Sequence, residues 1–189
     1  MCHNANATDI NRRVAGSICV NTLGADDVSV DFKYMVHALH NGANSGLAIC
    51  GFGNNPILFD QVAFPGKLNN CEACHVTPAA NATTASYYPV DPAVVQATTV
   101  DAGADRSSLT DDVAWSPNVA ACSGCHLGAT TEAHMLQNGG SKTLTKQADG
   151  TTAGGPIETC NLCHSQGDVA DVKVMHKVNT FEFQAPVNP

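Results

Sequence analysis

The spacing Cys-x-x-Cys-His occurs three times in a chain of 189 residues, at Cys71 to His75, Cys122 to His126 and Cys160 to His164. Two thiols and an imidazole within five residues are the pattern of covalent c-type haem attachment. The thiols capture the porphyrin vinyls, and the histidine beside them takes the iron. One match could be chance; three are one chemical act repeated. A chain that carries several large flat apolar groups must fold around them, which constrains this sequence more than any of its helical or strand patterns.

Composition agrees. Only 5% of the residues are aromatic and 14% are charged, against about a quarter charged in an ordinary domain. A conventional core of Phe, Tyr and Trp is not available, so haems would supply the missing apolar surface. The expected fold is mostly irregular with short α-helices and a minor β-hairpin, a multihaem cytochrome c fold organised around covalent haems. Residues 1–189 are read as a single such domain, with a loop insertion over 76–115.

Thioether attachment takes place outside the reducing cytosol, so a chain whose nine cysteines fall largely in such motifs is expected to be exported. Met1 is followed at once by Cys2-His3-Asn4, with no basic end and no apolar run, so the sequence reads as a mature or partial chain. No stretch is apolar for long enough to span a membrane as a helix. A formal charge of −8 disfavours nucleic acid and anionic membrane surfaces as partners.

The eight histidines give a ligand count. His75, His126 and His164 belong to the full motifs. Met1-Cys2-His3 reads either as the end of a fourth motif or as a fortuitous pair. His37, His40, His134 and His176 are left over. With His3 included, four haems each find a second axial histidine; without it there are three haems. Sulfur follows the same arithmetic: Cys71, Cys74, Cys122, Cys125, Cys160 and Cys163 go to the full motifs and Cys2 to a single thioether. Cys19 and Cys50 remain, as a disulfide or as two buried thiols.

Ala25 to Gly42 is predicted to be one helix, with acidic residues at its start, apolar residues at helical spacing and a glycine stop. His37 and His40 lie three apart on one face, as ligands to two neighbouring irons or as two solvated side chains. Met35, Met135 and Met175 sit near His37, His134 and His176. They are expected to pack against porphyrin faces rather than to replace histidine on the iron.

Leu47–Cys50 and Ile57–Phe59, separated by Gly53-Asn54-Asn55-Pro56, predict a small hairpin. The insertion is expected to be irregular, with a strand near Val94 to Val100. Its carboxylates Asp101, Asp105, Asp111 and Asp112 are read as a solvated face, with calcium the weaker alternative. Ser116-Pro117 marks a helix start leading into Cys122. Thr131 to Leu136 is a short helix stopped by Gly139-Gly140, Lys142 to Gly155 a polar loop, and Val169 to Val178 the segment that brings in His176. Asn179 to Pro189 looks extended. Asn6-Ala7-Thr8 and Asn81-Ala82-Thr83 match a glycosylation pattern by accident.

The runs DFKYMVHALHNG (Asp31 to Gly42), FPGKLNNCEACH (Phe64 to His75), ACSGCH followed by EAHMLQNGG, and ETCNLCH with VMHKV together resemble the C-terminal multihaem domain of the OmcA/MtrC-type outer-membrane decahaem cytochromes. The resemblance is weakest across Val76 to Trp115, and the Cys19 and Cys50 segment has no counterpart in it. It implies His3, His75, His126 and His164 as proximal ligands and His37, His40, His134 and His176 as distal ones, with four haems of a five-haem set. It further implies a cell-surface or periplasmic protein that receives electrons from another cytochrome or an outer-membrane conduit. Those electrons would pass to extracellular metal oxide, flavin or a soluble shuttle.

Electron transfer without bond chemistry is the expected function, since irons with two protein ligands have no position for a substrate. A multihaem reductase of nitrite, hydroxylamine or a sulfur oxyanion would need an open iron. A subunit of a haem-lined filament would need exposed haems at both ends.

Overall fold

A computed structural model describes residues 3–75, 87–153 and 157–178. Met1-Cys2, the Asn81-Ala82-Thr83 pattern, Pro156 and the tail from Asn179 to Pro189 lie outside the described residues.

The N-terminal part is packed by polypeptide. Helix α1 (Ile18–Leu23) starts where the Ser17 hydroxyl accepts from the Val20 amide and stops at Gly24, whose φ is +90°. Helix α2 spans Phe32–Asn41 rather than beginning at Ala25. The preceding Val-Ser-Val run is extended: Val30 N–H donates to the Ala7 carbonyl at 2.9 Å, and Val28 O accepts from Asp9 N–H at 3.0 Å. β-Branched residues favour that conformation, and Asp31 sets the true helix start by accepting from Lys33 N–H. Strands β1 (Ala48–Cys50) and β2 (Pro56–Leu58) form the expected hairpin, in register from Ala48 with Leu58 to Cys50 with Pro56.

Cys19 and Cys50 are joined as a disulfide with Cα atoms 5.8 Å apart, tying α1 to β1. Beside it the buried Asp9 carboxylate holds the Arg13 guanidinium at 2.8 Å and accepts from Val28 and Cys50 amides at 2.8 and 2.6 Å. A buried carboxylate is tolerable only with such a full set of partners. Met35, Ala38 and Leu47 form the centre of a small apolar core, with Val30, Leu39, Ile49 and Phe59 around them.

A three-stranded antiparallel sheet, unanticipated from sequence apart from its first strand, lies next in the chain. It orders β3 (Thr98–Asp101), β4 (Val113–Trp115) and β5 (Leu144–Thr145) side by side. The segment read as a polar loop from Lys142 therefore contributes a strand. Lys146 just after it is only 2% exposed, its ammonium donating to the Ala5 carbonyl at 2.9 Å and to the Asn6 amide oxygen. The sheet is fastened to α2 by Thr98, whose hydroxyl donates to Asp31 at 2.6 Å.

The insertion's carboxylates divide. Asp101, Asp105 and Asp111 accept from the loop amides of Gly103, Ser107 and Ala104. Asp112 does not belong to a solvated face: it is 1% exposed and accepts from the Thr99 hydroxyl at 2.9 Å.

Four helices complete the described C-terminal part: α3 (Pro117–Cys122) and α4 (Ala129–Gln137) between β4 and β5, then α5 (Asn161–His164) and α6 (Val172–Met175). The start of α3 is satisfied from a distance. Ser116 turns its hydroxyl to the Ser141 amide, and the Glu158 carboxylate accepts from Asn118 and Val119 N–H at 3.0 and 2.9 Å. An anionic acceptor at a helix N-terminus is favourable both as a cap and against the helix dipole.

Glu158 lies two residues before Cys160, so this cap docks the approach to the third motif on the helix that ends at Cys122. Gly139 closes the same junction. It has φ +82°, and a Cβ there would stand 1.9 Å from the Ile157 carbonyl.

Candidate haem sites

All three motifs adopt one turn. The carbonyl of the first cysteine accepts from the amide of the histidine four residues on, at 2.8 Å for Cys71 and His75, 2.8 Å for Cys122 and His126, and 3.0 Å for Cys160 and His164. In a helical turn, residues i, i+3 and i+4 share a face. Both thiols and the imidazole of each motif are thereby carried to one side, as attachment to one porphyrin requires. None of the six motif cysteines is in a disulfide.

Each motif histidine stands opposite a histidine from elsewhere in the chain. Ring centroids are 5.9 Å apart for His37 and His75, 5.7 Å for His126 and His176, and 6.1 Å for His134 and His164. Two imidazoles bound trans to one metal, with metal–nitrogen bonds of about 2 Å and ring nitrogens about 1.2 Å from the centroid, have centroids roughly 6.3 Å apart. The three separations lie about 0.2 to 0.6 Å below that value. Direct stacking of two rings gives closer contact, as His3 on Phe32 at 4.7 Å illustrates.

In three of the six paired histidines the second ring nitrogen is engaged as a ligand histidine needs. His37 Nδ1 lies 2.7 Å from the Lys33 carbonyl, His164 Nδ1 2.9 Å from that of Ala170, and His176 Nδ1 3.0 Å from that of Val172. A carbonyl oxygen only accepts, so Nδ1 carries the proton and Nε2 presents its lone pair. That is the outer-shell arrangement that fixes tautomer and orientation in metal sites. Desolvation first, and then His176 and His164, push the His126 pKa down, favouring the neutral imidazole that binds a metal.

The three pairs adjoin. Gly124, inside the second motif, abuts α2: a Cβ there would lie 2.6 Å from the His37 Cβ and 2.9 Å from the Ala38 amide. Asn41 donates to the Gly124 carbonyl at 3.2 Å, fixing the contact. At the other side Thr159 N–H donates to the Asn138 carbonyl at 3.0 Å, which brings the third motif to the end of α4 and His164 to His134. The first motif is sewn to α6 by Glu72 with Lys173 at 3.5 Å and by Asn69 with the Lys177 carbonyl at 2.8 Å.

His3 and His40 do not complete a fourth pair. His3 stacks on Phe32, the first residue of α2, and donates from Nδ1 to the Val30 carbonyl at 2.8 Å. His40, near the other end of α2, packs against Phe64 at 4.5 Å. Eight residues of helix separate these positions by about 12 Å, so the even four-to-four ligand count is not realised as four facing pairs. Met35 and Met135 are buried, each 7% exposed, and Met35 belongs to the apolar core.

Large apolar side chains lie uncovered by protein beside the motifs: Leu127, Leu162, Val174 and Met175 are 49%, 71%, 69% and 64% exposed. Apolar surface at this density around paired imidazoles and paired thiols fits a porphyrin face. Sequence reasoning named the thiols and imidazoles. It missed Glu158, Tyr88 and Asp171, of which only Asp171 carried a signal, as an acidic residue just before a short apolar run with a basic end.

Among the described residues no helix is long and apolar enough to cross a membrane. No curated protein matches the chain. A family model described as outer membrane cytochrome MtrC/MtrF-like, domains II/IV, matches residues 1–177. It covers the whole of the described structure except its last residue, and its title takes in domains II and IV alike. The chain therefore belongs to the MtrC/MtrF-like outer membrane cytochrome family, electron-transport proteins of the exported, cell-surface class.

Proposed function

We propose that this chain is an electron-transfer domain of extracellular respiration, with iron porphyrins held in a row between paired imidazoles. The observation that carries the reading is the spacing of the three histidine pairs, each joining a motif histidine to one from another segment. Cys71, Cys74, His75 and His37 would hold one haem. Cys122, Cys125, His126 and His176 would hold the second, and Cys160, Cys163, His164 and His134 the third. Cys2 and His3 would hold a fourth, and His40 would offer its imidazole to an iron outside these three pairs and not to the haem of His3.

Bound iron porphyrin supplies reversible one-electron exchange between ferric and ferrous states. The polypeptide's part would be to hold each of these haems between two imidazoles at the three paired sites, leaving no position for a substrate. It also keeps neighbouring sites adjacent through the contact of Gly124 with α2 and of Glu158 with α3. Family membership supports another cytochrome or an outer-membrane conduit as donor, and an extracellular metal oxide, flavin or shuttle as acceptor. Residues 1–189 would act as one multihaem unit.

Intact mass and ferric spectroscopy of the purified protein test the proposal. Four added haems are expected, and three would remove Cys2 and His3 from the set. A low-spin spectrum with cyanide binding at no more than one iron per chain is expected. Cyanide binding at several irons would instead support a reductase.

A further inference from the structure

We infer that Asp171, seated on Tyr88, is a shared positioning residue that orients axial imidazoles of two different haem sites. The inference rests on the ligand assignment proposed above. It starts from helix α6, which has four residues. A helix so short is not stable by itself, yet its last turn ends at His176, a proposed ligand of the second site.

What holds it is the Asp171 carboxylate. It accepts from Lys173 N–H at 2.7 Å and Val174 N–H at 3.4 Å, capping the helix, and from Gly167 N–H at 2.7 Å in the preceding loop. The Tyr88 hydroxyl, 83 residues away in sequence, donates to it at 2.9 Å. Both residues are 7% exposed. An ordinary N-cap faces water; this one is closed off by a tyrosine from the far side of the insertion.

The carbonyls that orient two imidazoles flank Asp171 directly. His164 of the third site donates from Nδ1 to Ala170 O, and His176 of the second donates from Nδ1 to Val172 O. Fixing residue 171 thus fixes both acceptors, and with them the direction in which each Nε2 points. Tyr88 extends the link to the first site: Tyr87 packs on it with centroids 5.1 Å apart, stands edge-on to His75 at 6.4 Å, and donates to Glu72 at 3.3 Å.

The test compares wild type, Asp171→Ala, Asp171→Asn and Tyr88→Phe, each as the haem-loaded chain. It measures haem number by intact mass, ferric spin state, and thermal stability. Asp171→Ala should keep its haems, yet show a high-spin ferric signal and new cyanide binding well below its melting temperature. Loss of an outer-shell partner usually weakens a metal–ligand bond by roughly tenfold or more. Asp171→Asn, which keeps an oxygen acceptor, should restore the low-spin form, and Tyr88→Phe should show the same change more weakly.

A fully low-spin Asp171→Ala protein that binds no more cyanide than wild type, whatever its melting temperature, overturns the inference. Should that variant fail to mature, Tyr88→Phe decides in the same terms. Wild type that is itself not low-spin would instead sink the ligand assignment, and the inference with it.

Discussion

Two buried aspartates show how differently the two ends of this molecule are held. Asp9 is matched by a guanidinium and by amides of Cys50 in β1 and Val28 in the extended run before α2, inside a region that also owns a disulfide and an apolar core. Asp171 has only amide and phenol donors, in a region of short helices whose apolar side chains lie at the surface. Protein contacts suffice for the first region. The second is arranged by hydrogen bonds but leaves much of its apolar surface exposed, so on the function proposed above its stability would come largely from the haems held at the motifs. In such a region cofactor binding free energy is folding free energy.

The contrast can be broken most directly by removing an attachment. Cys160→Ala with Cys163→Ala should lose one haem in intact mass and melt residues 157–178 early, while Cys19, Met35 and the β1–β2 hairpin remain protected. Hydrogen exchange resolves the two regions, and uniform loss of protection would show that they are one cooperative unit.

Next in size, Cys19→Ser with Cys50→Ser opens a disulfide spanning 31 residues of sequence. Chain entropy puts that at about 3 to 4 kcal/mol. The loss should appear in denaturant melts of the first region, with the ferric spin state of the paired sites unaltered.

Gly124→Ala sits where the regions meet. Its new Cβ would meet backbone and the His37 Cβ rather than a flexible tip. Overpacking of that kind costs about 1 to 3 kcal/mol. The variant should also shift the spectra of the His37 and His75 site and of the His126 and His176 site while leaving that of His134 and His164 unchanged; an unperturbed spectrum would mean that α2 and the second motif are not in register.

The smallest effect is a pH slope. Burial pushes the Lys146 pKa down to about 8, against about 10.4 in an unfolded chain. Between those values the unfolded state binds more protons, so stability should rise with pH from about 8 towards 10. Lys146→Met should flatten that rise in pH-dependent melts, and an unchanged slope would assign it to other groups.

Local spacing determined the chemistry. Cys-x-x-Cys-His puts two thiols and an imidazole on one face of a single turn, wherever that turn lies, so the motif residues were legible without a fold. The hairpin, the α3 start at Pro117 and the stop at Gly139 were legible for the same reason, because each depends on backbone preferences of a few adjacent residues.

Pairing was not legible, since which distant histidine faces which motif depends on contacts such as Gly124 on α2 and Glu158 on α3 that join segments far apart in sequence. The early end of the predicted helix at Ala25 lost to pairing of Val28 and Val30 with Ala7 and Asp9, a tertiary preference that overrode an amphipathic pattern. The separation of His3 from His40 was likewise decided by the length of α2. Counting ligands can show that numbers balance, but only packed segments decide which imidazole ring stands about 6 Å, centroid to centroid, across from which.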